Sequence, residues 1–170
     1  MASTPKWVEQ NAAFRVIPSM PQSLAKVLLH VVFSTKNRSP FLRDKPLREE
    51  LHRHLAGILT NLDCQPLITG GVEDHVHLLF VLSRTQPMAD VIKEAKRGSS
   101  VWIKQKHRDL GDFAWQSGYG AFSIGFSQVE AVTAYIAGQE KHHGKQSFQD
   151  EFRELLRRYQ IDFDERYVWD

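Results

Sequence analysis

Two histidines separated by one residue, His75-Val76-His77, are the first side chains in this sequence whose type and spacing point to chemistry. They open the run HVHLLFVL (75–82), apolar and bounded as a strand should be. Alternate side chains of a strand share a face, so both imidazoles point one way and Val76 the other. Paired imidazoles on an apolar strand suit a divalent metal; two half-buried histidines bonded to backbone carbonyls are the alternative. Tyr135 and Gln139, four residues apart on an expected helix, share a face beside the stripe Val129, Val132 and Ile136, as part of a site or as surface decoration. Gly138 between them costs ~1 kcal/mol relative to Ala in a helix interior, and marks a close approach or a place where the helix gives. A basic run, Lys93, Lys96, Arg97, Lys104, Lys106 and Arg108, is opposed only by Glu94 and Asp109. With Lys36, Arg38 and Arg43 it forms either a phosphate-tracking groove or the solvated side of an amphipathic helix. Trp102, Trp115 and Tyr119 are candidates for stacking on bases, with a place in the core the favoured alternative for the two tryptophans.

The elements that must position these residues alternate in type. VLLHVVFS (27–34) reads as a strand ending at a polar cluster, and 45–62 as a helix with Leu47, Leu51, Leu55, Ile58, Leu59 and Leu62 on one face and Asp44 as cap. QPLITGGV (65–72) is a short strand broken by Gly70-Gly71, followed by the histidine strand. A second helix spans 88–106, with Met88, Val91, Ile92, Ala95, Trp102 and Ile103 inward, and 113–124 is a fourth extended segment with a glycine-permitted irregularity. Ser127-Gln128-Val129-Glu130 reads as a capping box opening a third helix to about His142. A last amphipathic stretch covers 148–159. The order β-α-β-β-α-β-α-α predicts an α+β, ferredoxin-like (split βαβ) fold: an antiparallel four-stranded sheet with helices on one face plus a C-terminal tyrosine-bearing helix. Residues 1–22 read as a poorly structured extension and 23–170 as one domain.

Composition removes several classes. The chain has 170 residues, 42% hydrophobic and 25% charged, which fits one globular domain with a real core. One cysteine excludes a disulfide scaffold and a cysteine-ligated zinc site. No apolar run approaches the ~18 residues of a membrane span, and the start lacks a signal-peptide core, so a cytoplasmic protein is expected. The net charge of +2 does not by itself announce a nucleic-acid partner. No GxxxxGK[ST] loop is present, so no nucleotide cofactor is expected.

Taken together, Asp74-His75-Val76-His77-Leu78-Leu79, Trp115-Gln116-Ser117-Gly118-Tyr119-Gly120-Ala121-Phe122-Ser123 and Tyr135-Ile136-x-x-Gln139-Glu140-x-His142-His143 resemble the single-tyrosine HUH transposases. These are the enzymes of the insertion-sequence two-hundred/six-hundred-five group and their REP-associated relatives. The resemblance runs from about Met20 to Asp170; Gly138 departs from it where a polar Asn is expected. It implies that His75, His77 and Gln139 hold one Mg²⁺ or Mn²⁺ and that Tyr135 is the nucleophile. It implies a substrate of single-stranded DNA with hairpins, cleaved through a 5′-phosphotyrosine, and a homodimer in which the tyrosine helix of one subunit can complete the other's metal site. Lys36, Arg38, Lys93, Lys96, Arg97 and Lys104 are the expected DNA contacts. Since Mg²⁺ prefers oxygen ligands, a His-His-Gln site should be weak without DNA.

Rival readings are narrower. A histidine-triad hydrolase needs a third alternating histidine where Leu79 stands, and a two-histidine phosphoesterase needs a second His-x-Ser/Thr motif, yet His30 is followed by Val31-Val32. A non-catalytic or domesticated hairpin-binding module is the stronger alternative, although the aromatic pattern of an RNA-recognition strand is missing around Phe80.

Overall fold

A computed structural model describes residues 24–144 and 146–169; the extension expected over 1–22 lies outside them. The elements are β1 (Leu28–Ser34), α1 (Lys45–Asn61), β2 (Gln65–Gly71), β3 (His75–Val81), α2 (Met88–Lys106), β4 (Gly120–Ile124), α3 (Val129–Ala137), α4 (Gln139–His143) and α5 (Phe148–Arg158). The strands form one antiparallel sheet in the order β2-β3-β1-β4, the split βαβ arrangement.

Period-two alternation divides the central strands between two cores. Leu29, Val31 and Phe33 of β1 and Val76, Leu78 and Phe80 of β3 bury against Leu47, Leu51, Leu55 and Leu59 of α1 and Val91, Ile92, Ala95 and Ile103 of α2. The opposite face carries Leu28, Val32, Leu79, Phe122 and Ile124, covered by Ile136 of α3 and by Phe148, Phe152, Leu155 and Leu156 of α5. Because both faces are covered, β1 is buried at all seven positions and, apart from His30 and its last residue Ser34, reads as an apolar run. His30, His75 and His77 share parity with this second face, so the imidazoles lie beneath the C-terminal helices; Val32 is the register partner of His77.

Four local expectations need correction. Gly70-Gly71 does not break β2, which runs through Gly71; the register shift lies between Pro66 and Ile68. Of the extended segment 113–124 only Gly120–Ile124 is strand, with Trp115 joined to Thr35 by a single bridge. Side chains serve the backbone there instead of a ladder: the Ser34 N–H donates to Gln116 Oε1 (3.1 Å), and Lys96 donates to the carbonyls of Gln116, Ser117 and Gly118. Ser127 does not cap the third helix; the Gly125 N–H donates to Gln128 Oε1 (2.9 Å) ahead of a 3₁₀ turn over Phe126–Gln128. That helix ends at Ala137 because Gly138 leaves helical geometry (φ −88°, ψ 4°), its N–H donating to the Ala134 and Tyr135 carbonyls. Asp44 caps α1 as expected, accepting from the Leu47 N–H at 3.0 Å.

The tyrosine helix sits on β2 through a close contact that only glycine permits. A Cβ at Gly70 would lie 2.7 Å from Ile136 Cγ2 and 3.0 Å from the Ile136 carbonyl oxygen, whereas one at Gly57 in α1 meets nothing within 4 Å. Gly70→Val should therefore destabilise the chain by about 1–3 kcal/mol, and Gly57→Ala should stabilise it by up to about 1 kcal/mol. Urea unfolding of both variants reads this directly; equal effects would mean that α3 does not rest on β2.

Candidate active site

The site is built on the first half of β3, where His75 and His77 are both fully buried. His75 Nδ1 lies 2.7 Å from Asp74 Oδ1. An ionised carboxylate only accepts, so Nδ1 carries the proton and Nε2 presents its lone pair to the interior. His77 Nδ1 lies 2.9 Å from His30 Nε2, the two rings stacked with centroids 5.2 Å apart. His77 Nε2 has no hydrogen-bond partner among the described residues, so a proton there would be unsatisfied. We therefore assign the proton to His77 Nδ1, donating to His30 Nε2. Burial keeps both rings neutral: it lowers the pKa of His30 to about 4, and it carries His77 well below the ordinary histidine value with help from His75, His30 and His52.

Three C-terminal side chains close over these nitrogens. Gln139, the first residue of α4, places its Oε1 3.3 Å from His75 Nε2 and donates from Nε2 to Glu151 Oε1 at 2.7 Å. Glu151 of α5 sets Oε2 3.6 Å from His75 Nε2 and Oε1 3.6 Å from His77 Nε2. Tyr135, at the end of α3, donates its hydroxyl to Glu151 Oε1, its ring edge-on to His77 at 5.7 Å. Phe148 stacks on the His75 ring at 4.5 Å. Burial raises the Glu151 pKa to about 7; His75 acts against that rise, and Asp74 and Glu154 add to it.

The result is a convergence of acceptors. Two imidazole lone pairs, an amide oxygen and a carboxylate face a common point, and the ligand atoms of His75, His77 and Glu151 all lie within 4.8 Å of one another. Acceptors brought together out of water repel unless a proton or a cation sits among them. Both imidazoles have their outer nitrogens fixed, as ligating histidines require. The donor set thus fits a divalent cation.

Of the residues singled out in the sequence, Tyr135, His75, His77 and Gln139 come together here within one chain. The basic residues lie elsewhere. Lys93, Lys96 and Arg97 line a concavity of about 440 Å³ with Ala114, Trp115, Ser117 and Tyr119. Lys96 is occupied by three carbonyls, at 3.0, 3.1 and 2.6 Å, and burial lowers its pKa to about 8. It holds the 116–118 loop and is not an open phosphate contact. Arg97 pairs with Glu94, and Lys104 is exposed farther along α2. Lys36 and Arg38 are exposed on the 3₁₀ turn after β1, which the Lys36 N–H ties to the Ala114 carbonyl at 2.8 Å. Gln116 connects this wall to the histidines through Ser34, the register partner of His75.

Sequence reasoning missed His30 and Glu151 and gave Asp74 no role. One signal was available for Glu151: it falls on the stripe of Phe148, Phe152 and Leu155, where an acid on the apolar face of a helix needs a partner. His30 likewise occupies a buried position of β1 between apolar residues.

A split βαβ sheet that carries paired histidines under a tyrosine-bearing helix defines the architecture of a single-tyrosine transposase. The sequence model of the family described as "Transposase IS200 like" matches residues 23–139, and the chain belongs to that family. It is a transposase, and an enzyme of the single-tyrosine type. Among solved structures it is similar to a candidate transposase from Deinococcus radiodurans R1, at 22% identity over 71% of this chain and 95% of that one, with a TM-score of 0.58. It is also similar to a REP-associated tyrosine transposase bound to a REP hairpin, at 14% identity over 74% of this chain and 73% of that one, with a TM-score of 0.55. No curated protein matches the sequence.

The buried histidines make stability depend on pH. His30 and His52, both lowered from 6.5 to about 4, and His77 bind protons in the unfolded chain before they do in the folded one. Their contribution is present above pH 6.5 and is lost as pH falls. Glu151, raised from 4.5 to about 7, works in the opposite sense, since the folded chain keeps a proton there that the unfolded chain has released. Three groups outweigh one, so the thermal midpoint should fall as pH drops from 6.5 toward 4, and less steeply for His30→Asn. A midpoint that holds or rises over that range would contradict the buried neutral imidazoles.

Proposed function

We propose that the chain cuts and rejoins single-stranded DNA through a covalent bond to Tyr135, with His75, His77 and Gln139 holding a Mg²⁺ or Mn²⁺ ion. The observation that carries this reading is the juxtaposition of the buried His77 Nε2 and the Tyr135 hydroxyl about one carboxylate oxygen, Glu151 Oε1. When bound, the cation supplies positive charge for the phosphate oxygens whose charge grows in the transition state.

The chain's own residues do the rest. Asp74 and His30 fix the two imidazoles in the tautomers that turn the Nε2 lone pairs toward Gln139 and Glu151. Gln139 turns its oxygen toward His75 and braces Glu151 through its nitrogen. Glu151 accepts the Tyr135 hydrogen bond and so orients the phenolic oxygen beside the imidazoles. In the cleavage step the Tyr135 oxygen bonds to phosphorus and the bond to the 3′-oxygen breaks. The phenol loses one proton and the departing 3′-hydroxyl gains one. A phosphodiester is exchanged for a phosphotyrosine, so the bond is conserved and no nucleotide is consumed.

Support for a hairpin substrate comes from the REP-bound structural neighbour. The residues proposed to face phosphates are Lys36, Arg38, Lys93, Arg97 and Lys104; Lys93 and Arg97 line the concavity that includes Gln116, whose side chain accepts from the Ser34 N–H at the end of β1. Tyr135 stands over the histidines of its own chain, which supports cleavage within one subunit. Joining two cut ends needs two such sites, for which a homodimer is the assembly proposed. A DNA substrate supports a cytoplasmic protein as our reading, and no helix among the described residues is long and apolar enough to cross a membrane.

Tyr135→Phe should abolish the covalent protein–DNA adduct on a hairpin-bearing single strand while changing hairpin affinity by less than about threefold, since it removes one hydroxyl at some distance from the basic wall. Denaturing gels report the adduct and a filter-binding titration the affinity. Cleavage by the Phe variant at the wild-type rate would mean another nucleophile.

A further inference from the structure

Glu151 lies on α5, beyond the residues 23–139 that the family's sequence model matches, yet it faces His75 and His77 and accepts from Tyr135 and Gln139. Its two oxygens face the two histidine Nε2 atoms at the same separation, 3.6 Å, while one of them accepts from both Tyr135 and Gln139. Donors at right angles around an ion ~2.1 Å away stand about 3 Å apart. The carboxylate is therefore a few tenths of an ångström from the spacing a shared cation would impose.

Charge points the same way. His75, His77 and Gln139 are neutral donors, and a divalent ion held only by them would sit in a buried site with its charge uncompensated. Mg²⁺ and Mn²⁺ favour oxygen, above all carboxylate. Glu151 supplies both the oxygen and the charge, and α5 holds it firmly. Phe148, Phe152, Leu155 and Leu156 anchor that helix against Val32 and Phe122, and Ser147 caps its start.

We infer that Glu151 is a further ligand of the cation, and that its carboxylate serves two partners in turn: the Tyr135 hydroxyl while the cation is absent, and the cation once it binds. This rests on the cation site proposed above. Cation loading and release of the nucleophile are then one event, since the oxygen that accepts from Tyr135 is the one nearest His77 Nε2. The phenol keeps its proton throughout this exchange; only its acceptor changes. On this inference the cation binds more tightly than three neutral donors would hold it, because the chain itself brings an anionic ligand before DNA arrives.

The test uses the full chain without DNA. Mn²⁺ affinity is measured by electron paramagnetic resonance at pH 8 for wild type, Glu151→Gln, Glu151→Ala and His75→Ala. The Gln variant keeps size and hydrogen-bonding capacity but not charge, so it separates ligation from folding. Both Glu151 variants should bind Mn²⁺ at least about tenfold more weakly than wild type. In a chain with ¹³C-labelled tyrosine rings, the Tyr135 signal, assigned by its loss in Tyr135→Phe, should shift when Mg²⁺ is added. In Glu151→Ala it should start displaced and move little. Glu151 variants that match wild-type affinity while His75→Ala loses it would overturn this inference and leave the histidine site standing. Unchanged affinity in His75→Ala as well would overturn both. A Tyr135 signal indifferent to Mg²⁺ in wild type would overturn the exchange of partners.

Discussion

Lone pairs of the His75 and His77 Nε2 atoms are aimed at one small region from which water is excluded, and an amide oxygen and a carboxylate are aimed at it too. Such an arrangement is unfavourable by itself: Tyr135 and Gln139 donate to the Glu151 carboxylate, but the His77 Nε2 lone pair has given up hydration without gaining a hydrogen bond among the described residues. The rest of the site can be read as the means of holding that cost in place. Asp74 and His30 deny the imidazoles the tautomers that would relieve it, burial carries His77 well below the ordinary histidine pKa, and burial raises the Glu151 pKa to about 7. A site that is costly when empty and favourable when charged from outside is a site made for a cation.

The architecture delivers these groups from far apart in sequence. The sheet fixes His30 and His75–His77 through antiparallel registry, whereas Tyr135, Gln139 and Glu151 arrive on three successive helices laid across the same face. The break at Gly138 lets Gln139 begin a new helix while its side chain still meets Glu151 below Tyr135. The close seat of Ile136 on Gly70 sets the height of the tyrosine helix above the histidine strand. Function here depends on backbone contacts at two glycines as much as on the polar residues themselves.

Much of this was legible in the sequence. The strand alternation that puts His75 and His77 on one face, the 3.6-residue stripes of α1 and α2 and the order of elements follow from local pattern, and the structure matches them. The pairing of Tyr135 with Gln139 and their nearness to His75 also emerge, although the helix carrying them is interrupted. What was not legible is non-local. Lys96 looks like its neighbours in the sequence, and only the folded loop 116–118 shows that its charge is taken up by carbonyls. Glu151 looks like any acid of an amphipathic helix until its place on the apolar stripe is weighed. The fourth strand was read too long because side-chain hydrogen bonds from Gln116 and Lys96 replace a ladder there. His30 gave no signal beyond being polar on a buried strand, and its role depends on a partner 47 positions away.

The most direct examination of this account is a crystal of the full chain grown with Mn²⁺ and without DNA, with anomalous differences collected at the manganese edge. The account places one peak within bonding distance of both His75 Nε2 and His77 Nε2. A protein that takes up no manganese between these nitrogens, or takes it up only at its surface, would contradict it.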